Sequence, residues 1–304
     1  MAHTSSPVGA LSVLGLHKRF GETVAVKDVS FTIEPGRIFG FVGSNGAGKS
    51  TTMRIILGVL AADRGEVTLA GKVVDSEVRR RIGYMPEERG LYPKMQVGEQ
   101  LTYLARLHGM STSDARASSA YWTERLGISA RQGDDVGELS LGNQQRVQLG
   151  AALVHDPAVL VLDEPFSGLD PVAVDVMSEV LLEKARAGVP IIFSSHQLDL
   201  VQRLCDSVGI ISKGRLVAQG SVDELRRRSG LRLEIQAPDA PFGWADNIPG
   251  ITTREYGATT ILSGDTDIDD QLVLKAALSS GPVHHFSTVV PELSEMYREA
   301  VASS

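Results

Sequence analysis

The chain has 304 residues, 42% hydrophobic and 22% charged, with a formal net charge of -7, which excludes a disordered, fibrous or disulfide-stapled protein and exceeds the usual size of one domain. The negative charge argues against a nucleic-acid partner, because phosphate-backbone binding needs clustered Lys and Arg, and Arg79-Arg80-Arg81 and Arg226-Arg227-Arg228 read as solvated helix faces. The single Cys205 excludes an internal disulfide, residues 1–10 lack the pattern of a signal peptide, and no apolar stretch approaches the roughly 18 residues of a membrane helix, so a cytosolic chain is expected.

Residues 11–18 and 23–33 alternate apolar and polar side chains, which predicts antiparallel strands beside a parallel core. Residues 39–42 form a short apolar run that reads as a buried strand. Gly43-Ser44-Asn45-Gly46-Ala47-Gly48-Lys49-Ser50 follows it and leads into a helical run over residues 51–57. That is the G-x-x-x-x-G-K-[ST] pattern in the strand, loop and helix context a phosphate-binding loop requires. The glycines let backbone N–H groups converge on phosphates, the helix N-terminus favours an anion, Lys49 reaches the outer phosphates and Ser50 ligates magnesium. Gly43, Ser44, Asn45, Gly46, Ala47, Gly48, Lys49, Ser50 and Thr51 are therefore the expected nucleotide-binding residues, with ATP and Mg2+ as cofactors.

No strand signal appears between Met95 and Leu153. Leu101, Leu104, Ala105 and His108 share one helical face, and Val147, Ala151 and Val154 share another, which predicts a helical insertion over about residues 95–155. Residues 158–162 then form an apolar strand that delivers Asp163 and Glu164 at its C-terminal end, where open α/β sheets hold their ligands. There Asp163 would contact magnesium and Glu164 would poise a water; the two acids could also merely begin a helix. Residues 189–194 and 208–212 are further buried-strand candidates. The alternation of strands and helices gives an α/β layer with a mainly parallel sheet.

After Arg228 the pattern restarts, with strands over residues 231–235, 251–256 and 259–262 and a helix containing Leu272, Val273 and Ala276. A strand over residues 283–288 follows, and Pro291 takes a first-turn position before Leu293, Met296, Tyr297 and Ala300. The expected division is a first domain over residues 11–225 and a small α+β domain over residues 230–304.

Leu139-Ser140-Leu141-Gly142-Asn143, followed by Gln144-Gln145-Arg146-Val147 and placed upstream of Asp163-Glu164-Pro165, resembles the signature motif of the ABC ATPases. The resemblance covers residues 11–225. It implies a P-loop NTPase fold of ABC type with an antiparallel β subdomain and a helical insertion, to which the small C-terminal domain is appended. It also implies that Phe20 stacks on adenine, that Asp170 in Ser167-Gly168-Leu169-Asp170 belongs to a D-loop, and that His196 contacts the γ-phosphate. Two ATP-binding domains of this family pair head to tail. Ser140, Gly142 and Asn143 of one would then complete the nucleotide site of the other, with the following helix N-terminus as a further donor. A chain with one phosphate loop must pair with a second copy or with a related subunit.

The sequence departs from the family pattern in two places. Leu141 and Asn143 stand where the common Leu-Ser-Gly-Gly-Gln has Gly and Gln, and Glu87 in Gly83-Tyr84-Met85-Pro86-Glu87 stands where the Q-loop normally carries Gln. A carboxylate at that place can ligate magnesium with Ser50 and Asp163, or it can pair with Arg89 at the surface. The run Pro86-Glu87-Glu88-Arg89-Gly90-Leu91-Tyr92-Pro93, with Gly281-Pro282-Val283, Phe286 and Pro291-Glu292-Leu293, resembles a subgroup that works with ABC-2-type export permeases. The resemblance implies an ATPase subunit with Glu164 as general base, held at the inner face of the membrane by a separate integral-membrane permease.

Lys49→Ala should abolish tight ATP binding, because it deletes the one loop side chain able to neutralise the outer phosphates. A charge-assisted bond worth about 1.5–3 kcal/mol corresponds to roughly ten- to a hundredfold in affinity. An unchanged Kd for the purified variant would contradict the loop assignment.

Overall fold

The computed structural model describes residues 9–88, 90–228, 230–264 and 269–303, and the chain divides into two compact units whose boundary in sequence falls between Gln219 and Gly220.

The first unit opens with β1 (Leu11–Phe20) and β2 (Thr23–Ile33), paired antiparallel. Val26, Val29, Phe31 and Ile33 turn inward, and the step of three between Val26 and Val29 is absorbed by Asp28 in a left-handed backbone, φ 56°. With β4 (Arg64–Leu69) and β5 (Lys72–Val73) these strands form a four-stranded sheet in the order β2-β1-β4-β5. The second sheet contains β3 (Ile38–Val42), β6 (Ile82–Met85), β7 (Val159–Leu162), β8 (Ile191–Ser195), β9 (Ser207–Ser212) and β10 (Arg215–Gly220), ordered β10-β9-β3-β8-β7-β6. From β9 to β6 every pairing is parallel. Each residue of β3, β7 and β8 is buried, as expected of parallel strands covered on both faces. Phe31 of one sheet stacks on Phe39 of the other with ring centroids 4.8 Å apart, worth about 0.5–1.5 kcal/mol beyond its area burial.

Helices α1 (Lys49–Ile56) and α2 (Ser76–Arg79) lie between these strands in sequence. The helical insertion is built from α3 (Val97–Leu107), α4 (Thr112–Arg125) and α5 (Leu141–Leu153); α6 (Pro171–Arg186) and α7 (Leu198–Leu204) follow. Leu101 and Ala105 of the expected α3 face are fully buried, and Leu104 is half-buried. His108 is exposed, and its ring stacks on that of His155, centroids 3.6 Å apart. Burial, and secondarily the His108 ring, lowers the His155 pKa to about 4, so that imidazole is neutral near pH 7.

The second unit contains α8 (Val222–Arg228), β11 (Leu231–Gln236), β12 (Ile251–Tyr256), β13 (Thr259–Gly264), α9 (Asp270–Ser280), β14 (His285–Thr288) and α10 (Leu293–Ala302). Its sheet has the order β12-β13-β11-β14 with antiparallel pairing throughout. Leu233, Ile235, Leu262, Val273 and Ala277 form its own buried cluster. Arg232 on β11 is held by Glu295 and Glu299 of α10.

Several elements differ from those read along the chain. Strand β6 escaped notice because it is four residues long and contains Gly83, yet that glycine is what the packing needs: a Cβ there would stand 2.3 Å from the carbonyl oxygen of Ala152 in α5. Strands β4, β5 and β10 also carry too little apolar alternation to be seen. Pro291 precedes the N-cap Glu292 instead of occupying the first turn of α10. Helix α8 groups with the second unit, where the Arg226 Nε donates to the Pro291 carbonyl at 3.4 Å. Residues 1–8 and Arg89, on which two of the readings above bear, lie outside the described residues. Among the described residues no helix is long and apolar enough to cross a membrane.

Because each unit has a separate buried cluster, a chain ending at Gln219 should unfold in a single cooperative transition and still bind nucleotide. Aggregation of that chain, seen by size-exclusion chromatography, would show that the two units share one core.

Candidate functional site

Parallel register brings four strand ends together. Val42 of β3 pairs with Ser195 of β8, Leu162 of β7 with Phe193 of β8, and Met85 of β6 with Leu162. The segments that leave these ends therefore emerge side by side: Gly43 onward, Pro86-Glu87, Asp163-Glu164 and His196. In an open α/β sheet this edge is where ligands bind.

The loop after β3 turns through Gly46, φ 78°, and Gly48, φ 111°. A Cβ on Gly48 would stand 2.5 Å from the Ala25 carbonyl oxygen, so both backbone angle and space demand glycine. Helix α1 starts at Lys49 with no side chain capping it, so its first-turn N–H groups meet no competing acceptor from a capping residue. Lys49 is buried, and its Nζ donates to the carbonyl oxygens of Gly43 at 2.7 Å and Ser44 at 3.3 Å. The ammonium is thereby held across the loop, where the outer phosphates of a bound nucleotide would lie.

Asp163 and Glu164 follow β7 and are both buried. Ser194 of β8 donates its Oγ–H to Asp163 Oδ1 at 2.5 Å, and the Ser194 Oγ itself accepts the Glu164 backbone N–H at 2.8 Å. Glu164 has φ 49°, a left-handed conformation that costs a non-glycine residue energy and recurs at functional sites. His196 Nδ1 lies 2.9 Å from Glu164 Oε2; a carboxylate only accepts, so the ring proton sits on Nδ1.

A cleft of about 290 Å³ is lined by Ala25, Ser44, Asn45, Gly46, Gly48, Lys49, Ser50 and Thr51 together with Glu87, Asp163 and Glu164. Its shape and donors suit a polyphosphate. Among the described residues no three His, Cys, Asp or Glu side chains are grouped to hold a metal by themselves. The Ser50 hydroxyl and the carboxylates are hard oxygen donors, and magnesium characteristically takes one or two carboxylates and completes its shell with phosphate oxygens and water. The residues present fit that ion once nucleotide is in place. A larger hollow of about 510 Å³ lies on the insertion, lined by Glu99, Tyr103, Arg106, Arg116 and neighbours, but it holds neither a phosphate loop nor paired acids.

The remaining expected residues do not line the cleft. Phe20 closes β1, half exposed, with Lys18 Nζ 5.6 Å from its ring centroid. Ser140 is the exposed N-cap residue of α5, with Gly142 and Asn143 in the first turn. Asp170 caps α6 by accepting the Ala173 N–H at 2.8 Å. Leu141 packs toward the Ser167-Gly168-Leu169-Asp170 turn, where its Cδ2 would stand 2.9 Å from a Cβ on Gly168.

Two contributors were not visible in the linear sequence. Ser194 reads as one more residue of an apolar strand, and the only signal is its polarity at a buried position. Gln148, buried on α5, donates its Nε2 to the carbonyls of Pro86 at 2.6 Å and Glu88 at 3.4 Å, bracketing Glu87.

The ABC transporter family model matches residues 26–167. An uncharacterized ABC transporter ATP-binding protein, YhaQ of Bacillus subtilis, is 37% identical over 294 residues, covering 96% of this chain and 99% of that protein. The linearmycin resistance ATP-binding protein LnrL of Bacillus subtilis is 32% identical over 94% of this chain and 89% of its own length. The Nod factor export ATP-binding protein I of Burkholderia lata is 38% identical over 86% of this chain and 85% of its own. The solved structure of an ATP-binding subunit of an ABC transporter superposes with a TM-score of 0.67 at 31% identity, over 72% of this chain and 92% of that one. The chain belongs to the family of ABC transporter ATP-binding proteins.

One lysine and three carboxylates line the cleft, so metal-free ATP meets net repulsion, and each carboxylate near the triphosphate costs on the order of a few kcal/mol at about 4 Å in a partly shielded site. Glu87→Gln should strengthen ATP binding in EDTA noticeably more than in magnesium. Equal effects in the two conditions, measured by equilibrium titration, would take Glu87 away from the metal.

Proposed function

We propose that this chain is the ATP-hydrolysing subunit of an ABC exporter, in which ATP binding closes a dimer of ATP-binding domains and hydrolysis reopens it. The observation that carries this reading is the contact of Glu164 Oε2 with His196 Nδ1 at 2.9 Å, beside Asp163 and opposite the Lys49 loop.

Glu164 takes the proton of the attacking water as general base. Its bond to His196 Nδ1–H orients the imidazole with Nε2 toward the γ-phosphate, and Nε2 donates to the charge that grows there in the transition state when the ring carries a proton on both nitrogens. Lys49 and the N–H groups of the loop hold the β- and γ-phosphates in line for attack. Ser50, Asp163 and Glu87 would hold magnesium, which when bound neutralises charge on the phosphates. Phe20 supplies an exposed aromatic face for adenine.

Ser140, Gly142 and Asn143 lie off the cleft of their own chain, which supports their serving the nucleotide of a facing subunit, either a second copy or a relative. Asp170 follows the two acids in the sequence, at the end of Ser167-Gly168-Leu169-Asp170, as a D-loop would. An integral-membrane permease of ABC-2 type is the proposed partner, holding the chain at the inner face of the membrane. Export as the direction is supported by the resemblance of residues 86–93 to the export subgroup and by the export and resistance roles named for two relatives. The Gln148 bonds to the Glu87 turn tie the signature helix α5 to the Q-loop segment, a route by which nucleotide state reaches the helical insertion.

Glu164→Gln should keep ATP binding, lower kcat by about two to four orders of magnitude, and accumulate an ATP-dependent dimer, since it deletes the base while keeping its shape. Sedimentation velocity with and without ATP reads the dimer and phosphate release reads turnover. Normal hydrolysis by the variant would remove Glu164 from the mechanism.

A further inference from the structure

We propose that Ser194 is the positioning residue that sets both acids of the site, so that one hydroxyl fixes the carboxylate of Asp163 and the backbone of the general base. The proposal rests on the hydrolytic reading above and deepens it.

Ser194 is the fourth residue of β8, pairs with Phe41 of β3 and is fully buried. A hydroxyl in such surroundings is costly unless satisfied, and a serine there invites the question of what it bonds. Its hydrogen-bond roles are forced. The Glu164 N–H can only donate, so the serine oxygen accepts at 2.8 Å, and its own proton goes to Asp163 Oδ1 at 2.5 Å. Asp163 Oδ1 is thus occupied, and Oδ2 is the oxygen left for a cation.

The second bond acts on Glu164. Its backbone is left-handed, φ 49°, a conformation that persists only where the surroundings over-determine it. The bond from its N–H to Ser194 is such a constraint, and with the chain held there the carboxylate reaches His196 Nδ1 at 2.9 Å. His196 lies two residues beyond Ser194 on the same strand exit. The hydroxyl therefore locks the exit of β7 to that of β8, and the sequence Asp163, Ser194, Glu164, His196 forms one continuous hydrogen-bonded run. Without it, the Glu164 N–H is buried with no acceptor and the acids lose their common reference point.

The test compares Ser194→Ala, Ser194→Cys and Ser194→Thr in the full chain, reading kcat and KM for ATP together with ATP affinity in magnesium and in EDTA. Ser194→Ala should lower kcat by about ten- to a hundredfold, as loss of an outer-shell partner does, with KM moving less than about threefold. It should also shrink the gain in ATP affinity on adding magnesium, with EDTA affinity unchanged. Ser194→Thr, which keeps the hydroxyl, should return most of the turnover and of the metal effect. Should the Ala chain fail to fold, Ser194→Cys, similar in shape and a weak donor, is expected to show the same losses. Unchanged kcat and metal effect in the Ala or Cys variant, or a Thr variant no better than Ala, would overturn the proposal. A parent chain without ATPase activity would instead defeat the hydrolytic reading, while the metal-dependent binding of the variants would still decide the role of Ser194.

Discussion

Parallel strands covered on both faces have no room for chemistry along their length. In β3 and β7 every side chain is apolar or glycine and every residue is buried, and β8 is buried throughout as well. Polar function is consequently expelled to the C-terminal ends, and the register that pairs Val42 with Ser195 and Met85 with Leu162 decides which polar residues become neighbours. The phosphate loop, the paired acids, the Glu87 turn and His196 meet because four neighbouring parallel strands end within two residues of one another. A shift of register by one residue would separate them and turn each strand's side chains over.

Within that edge the charges are balanced against occupancy. Three carboxylates share a cleft with one ammonium, and the ammonium is held by main-chain carbonyls, so the balance is completed by ligand charge. A polyphosphate with its cation brings both signs at once. The left-handed backbone of Glu164 and the buried hydroxyl of Ser194 hold two adjacent acids at fixed points beside the cleft.

The helical insertion is attached at the neighbouring edge. Gly83 admits α5 to contact with β6, His155 bonds the Ile82 carbonyl at 3.3 Å, and His108 donates to the Arg80 carbonyl at 2.9 Å. Gln148 then grips the carbonyls on either side of Glu87. Helix α5 carries Leu141, Gly142 and Asn143 in its first turn and Gln148 and Ala152 farther along, so one helix links that end to the turn that holds Glu87. Rigid helices and hydrogen-bonded turns are the elements through which coupling is carried in proteins.

The phosphate loop and the acids after β7 stand out in the linear sequence because their pattern is written in contiguous residues flanked by apolar runs, whereas His196 is expected only through the family resemblance. A loop that wraps phosphate needs its glycines and lysine at fixed spacing, whatever the rest of the fold does. The same holds for the antiparallel pair β1 and β2, where alternation records one buried face. What only the tertiary structure decided depends on contacts between residues far apart in the chain. Ser194 looks like strand filler until Asp163 and Glu164 are set beside it 31 and 30 residues away. Gly83 looks like a strand breaker until the Ala152 carbonyl is set against it, and Leu141 looks like a misfit in its motif until Gly168 makes room. Local pattern reports which residues can carry the chemistry, whereas hydrogen-bond partners and close approaches follow from packing, which no window along the sequence contains.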